Sequence, residues 1–151
     1  MSHFEDRFLP DVAATLEAGG ELARVLADGA VVAIDGPLGA GKTTFVRGLS
    51  MALGVPGDEI LSPSFTIVIE HDLPDGRVLR HVDAWRLGSS EDLADVGWSE
   101  WAGMPETLTV VEWASRVDDA LPASALRLRL DYADASGRVL SGVSSTSGEM
   151  P

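Results

Sequence analysis

The feature that most constrains this chain is a glycine-rich turn set between a short apolar run and a helical stretch. Val31-Val32-Ala33-Ile34 leads into Gly36-Pro37-Leu38-Gly39-Ala40-Gly41-Lys42-Thr43, which fits the phosphate-loop pattern G-x-x-x-x-G-K-[ST]. The spacing predicts a buried strand, the turn, and then a helix from about Thr43 to Leu53. Glycines let backbone N–H groups turn inward on phosphate oxygens, and the helix start adds the positive end of its dipole. A nucleoside triphosphate is the expected ligand, with Lys42 at its outer phosphates and the Thr43 hydroxyl on Mg2+.

Composition sharpens that reading. The chain has ten arginines and one lysine, and the lysine is Lys42. A compact ammonium stands where a point charge must sit among phosphates, while arginine fills every other basic position. The 151 residues suit one domain, drawn at 1–141, with a Ser/Gly-rich tail, 142–151, expected to be mobile. A formal charge of −13 argues against unaided nucleic-acid binding, which depends on clustered Lys and Arg, and reads as a solubilising face rather than a docking surface. Without cysteine, disulfides, thiolate chemistry and cysteine-ligated zinc are excluded. No 18-residue apolar run and no leader pattern is present, so a soluble, cytoplasmic protein is expected.

Either a strand or a loose end is expected up to Leu9. A helix opens at Leu9-Pro10-Asp11 and runs toward Gly29, with Val12, Leu16, Gly19, Ala23 and Leu26 facing inward and Glu17 and Glu21 outside. Gly19-Gly20 within it marks a close backbone approach or a break. Farther on, Thr66 to Glu70 and Arg77 to Val82 flank the turn signal Pro74-Asp75-Gly76 and read as a hairpin. Ser89-Ser90-Glu91 reads as a helix cap, with Leu93, Ala94 and Val96 toward the core. Leu108 to Val111 is a buried strand ending at Glu112-Trp113. Leu126 to Leu130 alternates as a strand with one wet face, and Ala135-Ser136-Gly137 turns it into Arg138-Val139-Leu140.

Hydrolysis or transfer also needs a carboxylate near the metal. Asp83 and Glu112 each end a predicted strand, at the sheet edge where a phosphate loop also lies in an open α/β fold. Asp35, just before the loop, is a weaker rival that suits a structural cap equally well. The chain contains no asparagine and no glutamine, so neither an Asn-Lys-x-Asp guanine reader nor a water-orienting glutamine can be built. ATP is therefore expected, with slow intrinsic hydrolysis that waits on a partner. Trp85 and Trp113 are expected to pack in the core. Trp98 and Trp101 read either as core or as partly exposed partner anchors. His81 shares a strand face with Asp83 and is expected to hydrogen-bond it, whereas His3 and His71 look incidental.

With these residues assembled, the chain resembles the bacterial TsaE (YjeE) family of small ATPases that act in making threonylcarbamoyladenosine in tRNA. The resemblance rests on the loop Gly36 to Thr44, Ser62-Pro63-Ser64-Phe65, His81-Val82-Asp83-Ala84-Trp85-Arg86-Leu87 and Val111-Glu112-Trp113, in the family's order and at about its spacing. It implies a P-loop α/β fold of three layers, with a central, mostly parallel sheet and added antiparallel strands. ATP would lie on Gly39, Ala40, Gly41, Lys42, Thr43 and Thr44. Thr43 and Glu112 would hold Mg2+, Asp83 would act near the γ-phosphate, and Arg138 matches a position that contacts nucleotide. The family works with TsaB and TsaD, and TsaD performs the carbamoyl transfer. Trp85 stands where tyrosine is usual, Ser64 where threonine is usual, and Val12 where a polar residue can occur. Two rival readings share the loop: a small-molecule or nucleoside kinase, and a nucleotide-dependent binding module.

Overall fold

The computed structural model describes residues 6–60, 67–134 and 136–142. Its strands are β1 (Arg7–Leu9), β2 (Val31–Asp35), β3 (Val68–Asp72), β4 (Val78–Asp83), β5 (Thr107–Glu112), β6 (Leu126–Tyr132) and β7 (Arg138–Gly142). Its α-helices are α1 (Val12–Ala23), α2 (Lys42–Ala52) and α3 (Trp98–Trp101), joined by 3-10 turns at Gly57–Glu59, Ala84–Arg86, Ser90–Val96 and Ala114–Ala120.

Val31 to Ile34 shows no polar alternation because both faces of β2 are covered. Val32 and Ile34 pack under α1 and α2 with Ala18, Phe45, Val46 and Leu49. Val31 and Ala33 point to the opposite face and meet Leu93, Trp98, Trp101 and Val117. Three layers result. All seven strands form one sheet, ordered β1-β7-β6-β2-β5-β4-β3. The four central strands β6, β2, β5 and β4 run parallel, and β3, β7 and β1 are added antiparallel. This is the expected α/β architecture.

Gly19 explains how α1 and α2 come so close. A Cβ there would lie 2.1 Å from the Phe45 carbonyl oxygen, and one on Gly48 would lie 2.1 Å from that of Leu16. Each helix therefore offers a bare backbone to the other, and the glycine pair marks a contact rather than a break.

Several boundaries differ from expectation. Helix α1 stops at Ala23, where Arg24 and Val25 N–H groups bond back three residues to Glu21 and Leu22 carbonyls and tighten the last turn. Val12, expected inside, is 66 % exposed and lies on the wall of a small cavity beside the glycine-rich loop. Ser90–Val96 is a 3-10 turn capped by Ser89; with three residues per turn, Leu93 and Val96 share its inner face and Ala94 is exposed. Gly142, placed in the tail, is the last residue of β7 and pairs with Leu128. Ser62-Pro63-Ser64-Phe65, Ala135 and 143–151 lie outside the described residues.

Candidate functional site

The loop between β2 and α2 is built to leave donors open. Gly41 caps α2 with φ +104°, a left-handed conformation that only glycine adopts without strain, and supplies no side-chain cap. Helix α1, by contrast, is closed by Asp11, whose carboxylate accepts from the Ala14 N–H at 2.9 Å. The first-turn N–H groups of α2 thus remain for a ligand, together with the helix dipole, which is the recipe for an anion site.

Lys42 is buried and pre-aimed. Its ammonium donates to the carbonyl oxygens of Gly36 at 2.8 Å and Pro37 at 3.0 Å, which leaves one proton for an incoming oxygen. Nζ lies 3.9 Å from the centre of the Trp113 ring. Burial lowers its pKa from the ordinary lysine value, and the charges of Glu112, Asp35 and Asp83 work against that shift.

The two sequence-predicted acids meet at this loop. Strands β4 and β5 are parallel and in register, with Asp83 beside Glu112. Glu112 Oε1 accepts from the Thr43 hydroxyl at 3.0 Å, joining β5 to the first turn of α2. Asp83, Glu112, Lys42 and Thr43 all line one cavity of about 470 Å3, with Leu38 and Trp85 at its sides. Asp35 does not line it; its carboxylate accepts from the Ser115 N–H at 3.0 Å, the structural role it was given as an alternative. Among the described residues no cluster of three or more His, Asp or Glu is preassembled for a metal. Thr43, Glu112 and Asp83 offer hard oxygen donors that suit Mg2+ when phosphate oxygens and water complete its shell.

His81 corrects one expectation. Its Nε2 lies 2.5 Å from Glu112 Oε2, not against Asp83. Glu112 stands opposite Asp83 and is thus a diagonal neighbour of His81; its longer side chain reaches back across the strands to the buried imidazole, while the Asp83 carboxylate turns to the backbone that follows it. A carboxylate only accepts, so Nε2 carries the proton, and the buried Nδ1 has no partner among the described residues. Asp83 instead accepts from the Trp85 N–H at 2.9 Å and so starts the turn Ala84–Arg86.

The tryptophans also exchange places. Trp85, expected in the core, is 47 % exposed because that turn swings it to the cavity mouth. There it packs against Trp113, the rings tilted by 48° with centroids 4.5 Å apart, under the Arg116 guanidinium. Trp98 and Trp101 are 9 % and 8 % exposed, so the partner-anchor alternative falls. Three residues apart on α3, they share one face and pack on the sheet, while Ser99 and Glu100 supply the polarity that the sequence displays.

Arg138 lies across the loop from the acids. It bonds the Gly39 carbonyl at 3.3 Å and lines a smaller cavity, about 120 Å3, with Val12 and Thr44. Sequence reasoning missed Tyr132, which bonds the Leu38 carbonyl and lies against Arg138. Its signal was the alternation of β6: Leu126, Leu128, Leu130 and Tyr132 share one face, and the last runs past the core onto the loop.

Comparison with known proteins bears on the family and the fold. A family model described as "Threonylcarbamoyl adenosine biosynthesis protein TsaE" matches residues 9–140. Proteins named tRNA threonylcarbamoyladenosine biosynthesis protein TsaE are similar over most of their length. The Streptomyces coelicolor protein is 42 % identical over 119 residues, covering 78 % of each chain. That of Treponema pallidum is 39 % identical over 117 residues, 77 % of this chain and 83 % of its own. A crystal structure of Bacillus subtilis YdiB superposes with a TM-score of 0.75 at 26 % identity, covering 97 % of this chain and 89 % of that one. The family model over residues 9–140 and relatives at 42 % and 39 % identity over most of its length show that the chain belongs to the TsaE family of tRNA threonylcarbamoyladenosine biosynthesis.

Proposed function

We propose that this protein binds ATP with Mg2+ and hydrolyses it, slowly alone and faster with partners of the TsaB and TsaD type, in support of tRNA N6-threonylcarbamoyladenosine formation. The observation that carries this reading is the Thr43–Glu112 contact at 3.0 Å under a loop whose lysine is already aimed. Phosphate oxygens would take the open N–H groups of the loop and the remaining Lys42 proton. Thr43 keeps its hydroxyl proton on Glu112 and turns its lone pairs outward, while His81 fixes the other Glu112 oxygen. Thr43 and Glu112 would thus hold Mg2+, which neutralises charge between the outer phosphates. Asp83 has one oxygen committed to the Trp85 N–H and would use the other to orient water near the γ-phosphate.

The acidic surface fits a protein that leaves tRNA contacts to its partners. Among the described residues no helix is long and apolar enough to cross a membrane, and the reading places the protein in the cytoplasm. A kinase needs a mobile lid over its acceptor. The segment from Gly88 to Met104 makes a poor one, since Leu93, Trp98 and Trp101 anchor it to the sheet.

Titration of ATP with and without Mg2+ tests the site. Wild type should bind more tightly with Mg2+. Thr43→Val should bind ATP but lose most of the Mg2+ dependence. An Mg2+ effect undiminished in Thr43→Val would contradict the assignment, and stoichiometric phosphorylation of a hydroxyl acceptor would move the function to the kinase class.

A further inference from the structure

Arg138 is held so that the plane of its guanidinium is fixed beside the loop. Two of its donors are already engaged, Nη1 with the Gly137 carbonyl at 2.9 Å and Nη2 with that of Gly39 at 3.3 Å. Its Cζ lies 4.7 Å from the centre of the Tyr132 ring. The turn that launches it is fixed, since Asp134 accepts from the N–H groups of Ser136 and Gly137. With two of its five N–H donors engaged and one face against the Tyr132 ring, the guanidinium is held as a fixed cationic plane at the cavity beside the loop.

The rest of that cavity is lined on one side by the start of α1 and on the other by the loop, with Thr44 and Ser136 as hydroxyl-bearing neighbours of Arg138. Val12 gives an exposed apolar wall. Asp11 gives one carboxylate oxygen to the Ala14 N–H, and the Thr15 hydroxyl bonds back to the Asp11 carbonyl. Affinity for a ring placed here would rest on stacking, which is tolerant of base identity. Tyr132 also reaches the phosphate loop, because its hydroxyl bonds the Leu38 carbonyl. A Cβ on Gly39 would come within 2.8 Å of that hydroxyl, so the two elements fit only with glycine there.

We propose that Tyr132 is a positioning residue for the nucleotide base, its ring carrying Arg138 as a stacking platform and its hydroxyl tying that platform to the phosphate loop. The proposal rests on the nucleotide-binding reading above and adds how the base is held. Tyr132 need not touch the ligand; it acts by fixing the plane of Arg138.

Calorimetric titration of ATP, GTP and inorganic tripolyphosphate, each with Mg2+, separates base contacts from phosphate contacts. Tyr132→Leu should weaken ATP and GTP alike by about five- to tenfold, the range of a partly desolvated cation–π contact, and leave tripolyphosphate within about twofold. Tyr132→Phe keeps the ring but cuts the tie to the Leu38 carbonyl, and should weaken ATP by about two- to threefold, less than Tyr132→Leu does. Added to Arg138→Ala, Tyr132→Leu should cause no further loss, because both act through one contact. Arg138→Lys keeps the charge, removes the plane and should repeat the selective loss of ATP independently of any change at Tyr132. Equal weakening of tripolyphosphate and ATP, full additivity of the two variants, or unaltered ATP binding in Tyr132→Leu would overturn the platform. Tripolyphosphate bound without ATP, or neither bound by wild type, would instead overturn the ATP reading on which it stands.

Discussion

Gly19 and Gly20 adjoin on one helix, yet alanine should act on them with opposite sign. At Gly19 the added Cβ would meet the Phe45 carbonyl oxygen at 2.1 Å and the Leu49 nitrogen at 2.9 Å, both backbone atoms of α2 that cannot rotate away. At Gly20 its nearest neighbours would be the Ala52 Cβ and the Gly48 oxygen at 3.7 Å, which is ordinary contact. Replacing a helical glycine with alanine gains about 0.5–1 kcal/mol of helix propensity at either site. Against that, forcing two packed helices apart costs about 1–3 kcal/mol. The net loss for Gly19→Ala is about 1–2 kcal/mol, or a Tm lower by roughly 3–6 °C in a chain of this size. Gly20→Ala should instead raise Tm by about 2 °C. Thermal melts followed by circular dichroism decide the matter. Because Phe45 stands three residues after Lys42, ATP affinity should fall in Gly19→Ala and hold in Gly20→Ala. A Gly19→Ala protein melting at or above wild type, or equal losses at both sites, would refute the close-approach argument.

The two tryptophan pairs should separate in urea denaturation: Trp101→Ala should cost about 3 kcal/mol or more as a buried cavity, and Trp85→Ala under about 1 kcal/mol. Comparable losses would mean that Trp85 is packed after all. His71 should make the fold acid-sensitive. Burial, with a further push from His81 and an opposing pull from Glu59, holds its pKa below the ordinary 6.5, and its Nε2 is buried without a partner among the described residues. The folded state then binds fewer protons than the unfolded one as pH drops from 6.5 toward the folded value. Stability should fall there by up to about 1.4 kcal/mol per pH unit, and His71→Leu should flatten that slope. Identical slopes in denaturation series between pH 6.5 and 5.5 would remove His71 from the account.

The parts of this fold that were legible in the sequence are those in which local chemistry and tertiary need coincide. The glycine-rich turn between β2 and α2 was legible because Gly41 caps the helix in a left-handed conformation that glycine alone adopts without strain. Strand β2 is apolar from Val31 to Ile34, and β5 carries the apolar residues Leu108, Val110 and Val111, because helices and turns cover both their faces. The convergence of Asp83 and Glu112 followed from the rule that strand ends meet the loop at one sheet edge. What stayed hidden depends on neighbours distant in sequence. Parallel pairing of β4 with β5 brings His81 to Glu112, and no pattern within β4 alone reports that. Local polarity misled for Trp98 and Trp101, since Ser99 and Glu100 lie on the opposite side of a single helical turn. Trp85 looked internal because it follows a buried strand, but Asp83 caps the next turn and reverses its direction. Tyr132 escaped notice because its partners, Leu38 and Arg138, belong to two other elements.

The central claim is that the loop and Glu112 form an ATP-hydrolysing centre driven by partners. The most direct measurement is phosphate release from ATP by wild type, Lys42→Ala and Glu112→Ala, each alone and with TsaB, TsaD and tRNA. The account predicts slow turnover by wild type alone, a clear rise with the partners, and loss of both in the two variants. Turnover indifferent to the partners, or equal in wild type and variants, would contradict it.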